Sequence, residues 1–352
     1  MTDASPLRVG VVDDSAFNRL CLSEWVQDTS DMTLMGAWQN GEEALREWLQ
    51  NPPDVAVVDL EMPKLDGLTL VRLLMAKRPF PVVVFSSYAS SDNVVRALEA
   101  GALRFVAKPE ALDVDATQLR TELLNAVREA SRVSVDRLTR PRAALPSMAP
   151  AEHRERAPAS KFVFFVAGTG GPQAMFELVV GLRDLPNAAW VVLTHMPVKY
   201  IHALVSRLSA KTSLDVRVLE PAGPLVEGTV YVASVDEPMV VSPGPDGLRV
   251  VASSALNTHP ADALLASAAR VCAEVSTGVL LTGGGDDGVQ GLREMRDAGS
   301  RTYAQSPDEA VVPDLARMAI ERQAAREACT LNELKTLLGD PRQRSFVRGA
   351  CV

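Results

Sequence analysis

Short runs of β-branched and aliphatic residues alternate with amphipathic stretches of helical length along most of the chain, and this alternation restricts the fold more than any other feature. In the first part the runs are residues 7–12, 55–58, 81–85 and 105–107, with helical patterns such as 41–50 and 68–77 between them. Runs this short and this uniformly apolar read as strands buried on both faces, which is the habit of parallel sheets. Repeated strand–helix units at this spacing predict a doubly wound α/β sheet. The same habit resumes at residues 162–167, with a helix expected over 172–183 and further strands over 190–194 and 279–282.

Residues 131–160 interrupt the pattern. They hold four Pro, six Ala and six Arg and no aromatic residue, the composition of a connecting segment. The expectation is therefore an α/β protein of two doubly wound parallel-sheet domains, 1–130 and 161–345, joined by a linker over 131–160. A length of 352 residues fits two domains. No apolar run reaches the length of a membrane span, and Met1 to Pro6 lack the basic and apolar regions of a signal peptide, so no membrane insertion is expected. Cys21, Cys272, Cys329 and Cys351 show no CxxC spacing, which points to a reducing cytoplasm rather than a disulfide framework. Lys and Arg number 36 against 44 Asp and Glu, a net charge of −8, which speaks against a nucleic-acid partner.

In the first domain four strand ends carry chemistry. Asp13 and Asp14 follow the first run, Asp59 the second, Ser86 follows Phe85, and Lys108 follows Ala107. Strand carboxyl ends of an open parallel sheet converge on one edge, where ligands bind. Three carboxylates gathered there suit a hard, oxygen-seeking cation such as Mg²⁺, with Lys108 and Ser86 placed to meet phosphoryl oxygens. Taken singly, an Asp after a strand is more often a helix cap and a Lys before a Pro a solvated turn residue. The ordered constellation on different strand ends is what carries the reading.

These residues resemble a response-regulator receiver domain over 7–125. The matching pieces are Val11-Val12-Asp13-Asp14-Ser15, Asp59-Leu60-Glu61-Met62-Pro63-Lys64-Leu65-Asp66-Gly67, Phe85-Ser86-Ser87 and Lys108-Pro109. The resemblance implies that Asp59 accepts a phosphoryl group from a histidine kinase. It implies a Mg²⁺ site on Asp13, Asp14, Asp59 and the main-chain oxygen of Glu61. It makes Ser86 and Phe105 the switch pair and Lys108 the phosphate-contacting lysine.

In the second domain, strand 162–167 enters Gly168-Thr169-Gly170-Gly171-Pro172, a Gly-rich turn into a helix that exposes main-chain N–H groups able to stabilise an oxyanion. A dinucleotide fingerprint fails because Gln173 stands where its third glycine belongs, and a P-loop fails for want of Gly-Lys-Ser/Thr. His195 ends one strand, and Gly283-Gly284-Gly285-Asp286-Asp287-Gly288 follows another. An Asp orienting a His beside such a turn suits acyl chemistry, whereas alone either residue is more often structural. His153 falls in the linker, His202 in a helix and His259 in a loop.

With a receiver ahead of it, this half is similar to the chemotaxis methylesterase (CheB) family, whose motifs are Gly-Ala-Ser-Thr-Gly-Gly, Gln-His-Met-Pro and Leu-Thr-Gly-Met-Gly-Asn-Asp-Gly. Here they read Val166-Ala167-Gly168-Thr169-Gly170-Gly171, Thr194-His195-Met196-Pro197 and Leu281-Thr282-Gly283-Gly284-Gly285-Asp286-Asp287-Gly288, and Ala304 to Glu309 also match. The resemblance implies phospho-activated hydrolysis of glutamyl methyl esters, with glutamine deamidation, on the cytoplasmic helices of methyl-accepting chemoreceptors. It implies no cofactor for the hydrolase domain, and a receiver that covers the active site until phosphorylated. His195 and Asp287 match the base and its orienting carboxylate. Gly168 stands on the nucleophilic serine, and Thr169 is the candidate surrogate. The alternative is a catalytically impaired, phospho-dependent regulator or phosphate sink that binds without hydrolysing. A DNA-binding output disagrees with so large an α/β unit.

Overall fold

The structure, a computed structural model, describes residues 5–87, 91–108, 116–133, 138, 156–180, 182, 184–253 and 259–339. Pro109, His153, Cys351 and most of the expected linker lie outside the described residues. The chain divides into two compact units, Met1–Arg142 and Ala143–Val352.

The first unit is a five-stranded parallel sheet in the order β2-β1-β3-β4-β5, with β1 Leu7–Val12, β2 Met32–Trp38, β3 Val55–Val58, β4 Val82–Ser86 and β5 Arg104–Ala107. Its helices are α1 Ala16–Gln27, α2 Gly41–Gln50, α3 Gly67–Lys77, α4 Ser91–Ala100 and α5 Ala116–Ser131. β3 and β4 are buried along their whole length, as their unbroken apolar runs require. The chain reverses its winding between β1 and β3, so the crevice at their carboxyl ends is the switch point of the sheet.

The second unit has strands β6 Lys161–Ala167, β7 Ala188–Thr194, β8 Asp215–Val218, β9 Thr229–Ser234, β10 Met239–Gly244, β11 Gly247–Ala252, β12 Ser276–Leu280, β13 Arg301–Gln305 and β14 Glu327–Cys329. Among its helices are α6 Gly171–Val179, α7 Val198–Ser209, α8 Pro260–Cys272 and α9 Val289–Asp297. Its strands form a seven-stranded parallel sheet, β14-β13-β12-β6-β7-β9-β8, and a separate antiparallel pair, β10 and β11. Winding reverses at β6, which has β7 on one side and β12 on the other. Phe165 and Trp190 pack 4.9 Å apart between β6 and β7 in a fully buried core.

Three expectations shift. The helix expected over 172–183 is α6 Gly171–Val179, because Lys335 Nζ donates to the Val180 carbonyl at 2.7 Å and Val180 is already extended. The strand expected over 279–282 is β12, ending at Leu280: the Thr282 N–H is taken by Gln305 Oε1 (2.9 Å), so a side chain replaces the ladder. The expected linker is shorter at both ends. α5 runs through Ser131, and Ala159 N–H already pairs with the Leu225 carbonyl at 2.9 Å inside the second unit.

Candidate functional site

In the receiver-like unit, Asp13 leaves β1 and turns into α1. Ser15 caps that helix, accepting from Asn18 N–H, while Asp13 Oδ1 accepts from Ser15 N–H (2.9 Å) and Asn18 Nδ2 (3.4 Å). Asp59 leaves β3, and its Oδ1 accepts from Glu61 N–H at 3.3 Å. The following loop closes on Asp66, which caps α3 by accepting from Thr69 N–H and Oγ1. Gly67 starts α3 so close beneath the site that a Cβ there would stand 1.9 Å from the Asp59 carbonyl oxygen. Only glycine fits, which explains its place in the loop motif.

Asp13 and Asp59 are buried and Asp14 is exposed, and the three offer carboxylate oxygens all within 4.8 Å of one another. Lys108 Nζ lies 2.7 Å from Asp13 Oδ2 and 2.6 Å from Asp59 Oδ2. Burial holds the Asp59 carboxyl above the usual carboxylate range; Lys108 opposes this and neighbouring Asp13 reinforces it. One ammonium against three carboxylates leaves the pocket short of positive charge. The donor set, all carboxylate oxygen, fits a small divalent cation such as Mg²⁺. Ser86 ends β4 and Phe105 lies on the adjacent β5, both buried. The Ser86 carbonyl, at the end of β4, accepts from the N–H of Lys108, just past the end of β5, at 2.9 Å, so the serine and the lysine stand at adjacent strand ends. Glu61 is exposed, with Oε2 accepting from Ser87 Oγ at 3.0 Å.

In the second unit, three strand ends are stitched together by main-chain hydrogen bonds. His195 N–H, after β7, donates to the Ala167 carbonyl of β6 at 3.2 Å, and Gly168 N–H donates to the Thr282 carbonyl after β12 at 2.9 Å. The Gly-rich turn, the histidine and the Gly283–Asp287 turn are therefore neighbours at the switch point. Gly170 adopts φ +79° and opens α6 with Pro172 in its first turn. Thr282 ties the region together: its Oγ1 donates to the Thr169 carbonyl (2.8 Å) and accepts from Val312 N–H (2.8 Å).

His195 is exposed and Thr169 is buried, 5% accessible. Asp287 uses both carboxylate oxygens at the start of α8 Pro260–Cys272, accepting from Ala261 N–H (3.1 Å) and Asp262 N–H (3.0 Å). Gly168 has no hydroxyl, and a Cβ built on it would stand 2.8 Å from Gly283 Cα. The space a side chain would need is thus occupied by main chain. Sequence reasoning missed Gln305 as the residue that fixes Thr282, Asp262 as the partner of Asp287, and Arg19 behind the acidic pair. Gln305 alone left a signal, since it lies in the matching stretch Ala304 to Glu309.

Comparison with known proteins matches residues 9–122 to the response regulator receiver domain and residues 163–338 to CheB methylesterase. The chain is 34% identical over 352 residues to the protein-glutamate methylesterase/protein-glutamine glutaminase of Symbiobacterium thermophilum, covering 94% of this chain and 95% of that one. It is 35% identical over 340 residues to protein-glutamate methylesterase/protein-glutamine glutaminase 1 of Dechloromonas aromatica (93% and 96%). It is 34% identical over 355 residues to the protein of that name in Myxococcus xanthus (95% and 96%).

Proposed function

The chain belongs to the CheB methylesterase family, and on that premise we propose that it is a phospho-regulated chemotaxis response regulator directed at the glutamyl methyl esters of chemoreceptors. Asp59 takes the phosphoryl group of a kinase phosphohistidine: the P–N bond breaks and a bond to an Asp59 carboxylate oxygen forms. Mg²⁺, when bound, supplies charge neutralisation at the transferring phosphoryl group. Asp13, Asp14, Asp59 and the Glu61 main-chain oxygen are its holders. Lys108, 2.6 Å from Asp59, lowers the repulsion between carboxylate and phosphoryl oxygens. Ser86 and Phe105 carry the phosphorylation signal outward. The partners are a chemotaxis histidine kinase and the cytoplasmic helices of methyl-accepting receptors, which places the protein in the cytoplasm. Among the described residues no helix is long and apolar enough to cross a membrane.

The observation that carries the reading of the output domain is the stitching of the 168–171 turn to His195 on one side and to Thr282 on the other. It presents an exposed imidazole beside a Gly-rich helix start, the setting in which an ester carbonyl is polarised and attacked. Without a serine the attacking group is water. His195 takes its proton and returns it to the departing methoxide, yielding glutamate and methanol, with Asp287 steadying the adjoining turn. Loss of a serine nucleophile lowers kcat about 10⁶-fold in a hydrolase built around one, leaving about 10³–10⁴ over the uncatalysed rate. The test is methanol release from methylated receptor membranes with a phosphodonor and Mg²⁺. Slow release above buffer supports hydrolysis, and its absence removes it.

A second reading, binding without hydrolysis, is favoured by one observation: the 2.8 Å separation between a Cβ on Gly168 and Gly283 Cα. With no nucleophilic side chain at 168 and main chain filling the place of its Cβ, the protein binds the receptor segment and leaves its esters intact. Phosphorylation-dependent receptor binding with no methanol formed separates this reading from the first.

A further inference from the structure

Arg19, on the first turn of α1, touches no pocket oxygen of a carboxylate, yet it is bound directly to the main chain of both acidic residues that open the pocket. Its Nη1 donates to the Asp13 carbonyl at 2.7 Å and to the Asp14 carbonyl at 2.9 Å. Its own N–H donates to the Ser15 carbonyl (3.0 Å), and its carbonyl accepts from Ser23 Oγ (2.6 Å), so the guanidinium is swung from a fixed helical turn. Ser15 N–H and Asn18 Nδ2 meanwhile hold Asp13 Oδ1. The Asp13–Asp14 dipeptide is thus gripped twice, by its side chain and by its carbonyls.

We infer that Arg19 is a positioning residue of the metal pocket, fixing the Asp13–Asp14 main chain so that both carboxylates face the site before the cation arrives. With the two carbonyls tied to a guanidinium behind them, the peptide planes cannot turn, and the directions of the two side chains follow from the planes. Partners that orient metal ligands in this way typically account for about 10–100-fold in metal affinity. This inference rests on the reading of Asp13, Asp14 and Asp59 as the Mg²⁺ site.

Charge and positioning act here with opposite sign. As a nearby positive charge Arg19 repels a divalent cation, so if charge were its only effect its removal would tighten Mg²⁺ binding. If positioning dominates, removal weakens it. The experiment is calorimetric titration of Mg²⁺ into the full chain, for wild type, Arg19→Ala and Arg19→Lys, beside thermal unfolding of each in metal-free buffer. The expected result is a Kd raised about tenfold or more in Arg19→Ala, in line with such outer-shell partners. Arg19→Lys, which retains donors for both carbonyls, recovers most of the affinity, and the metal-free melting temperatures stay together. An unchanged or lowered Kd in Arg19→Ala overturns the inference. So does a weakening that is matched by a fall in metal-free melting temperature, because that is general damage to the fold. A wild-type protein that takes up no Mg²⁺ defeats the metal-site reading itself, and the inference with it; uptake by wild type with no effect of Arg19 defeats the inference alone.

Discussion

Gly168 concentrates the chemical question of the second unit into one missing side chain. Its Cα packs on the main chain of Gly283, so Gly168→Ser pushes a Cβ into a 2.8 Å contact that only a backbone shift relieves. Overpacking of this kind costs about 1–3 kcal/mol. The variant is expected to have an unfolding free energy lower than wild type by that margin, read from denaturant unfolding, while releasing methanol at least about 100-fold faster because a nucleophile is restored. A variant as stable as wild type would show that the two turns stand further apart. At Cys272 and Cys329 burial pushes the thiols up to about 11. Iodoacetamide at pH 8 is therefore expected to leave both unlabelled in the native protein and to label both after unfolding, as peptide mass spectrometry reads directly. The pocket residues Asp13, Asp59 and Lys108 were legible because each follows a strand whose apolar run is unmistakable. Arg19 was not, because its role depends on where its side chain reaches behind a turn after folding, and Gln305 showed only as part of a matching stretch, with no sign that its side chain crosses to a neighbouring strand.

Two helices of the second unit cap one another. Asp287, in the turn before α9 Val289–Asp297, receives the first N–H groups of α8, and Asp262, in the first turn of α8, receives Gly288 N–H (2.9 Å) and Gly291 N–H (2.7 Å) at the start of α9. The exchange locks the Gly283–Gly288 turn to a helix pair, and it gives Asp287 a structural duty beside its catalytic match. Burial raises the Asp262 carboxyl above the usual range despite its two amide donors. A folded-state value above the unfolded one means that stability linked to this group is greatest below the carboxylate range and declines as pH rises through the folded value. Asp262→Asn keeps a capping oxygen and removes the buried charge, so its melting temperature should match or exceed wild type at pH 7, with any gain gone at low pH. Asp262→Ala loses the cap and should be destabilised by about 1 kcal/mol at either pH. Equal behaviour of the two variants at pH 7 would contradict the capping account. Among the strands, β3, β4 and β6 could be read directly, since burial on both faces leaves no polar residue inside the run. β2 carries exposed and half-buried positions at a sheet edge, and β14 Glu327–Cys329 is three residues long, so neither leaves a distinctive pattern.

Each unit has a crevice at the switch point of its sheet: an acidic one, which we propose for a cation and a phosphoryl group, and a glycine-lined one, which we propose for a receptor ester. The net charge of −8 finds a local use in the first, where carboxylates are held together for later neutralisation. Removal of Mg²⁺ with EDTA is expected to abolish phosphorylation of Asp59 by a small-molecule phosphodonor, and Asp59→Asn to abolish it with metal present; intact-mass measurement checks both. The central claim is that phosphorylation in the acidic crevice governs events at receptor glutamyl esters. It is tested most directly by methanol release from methylated receptor membranes over many hours, comparing wild type with Asp59→Asn, each with phosphodonor and Mg²⁺. The account predicts slow release by wild type, about 10³–10⁴ over the uncatalysed rate, with Asp59→Asn far below it. Release at the buffer rate by both proteins, or equal release by the two, contradicts it.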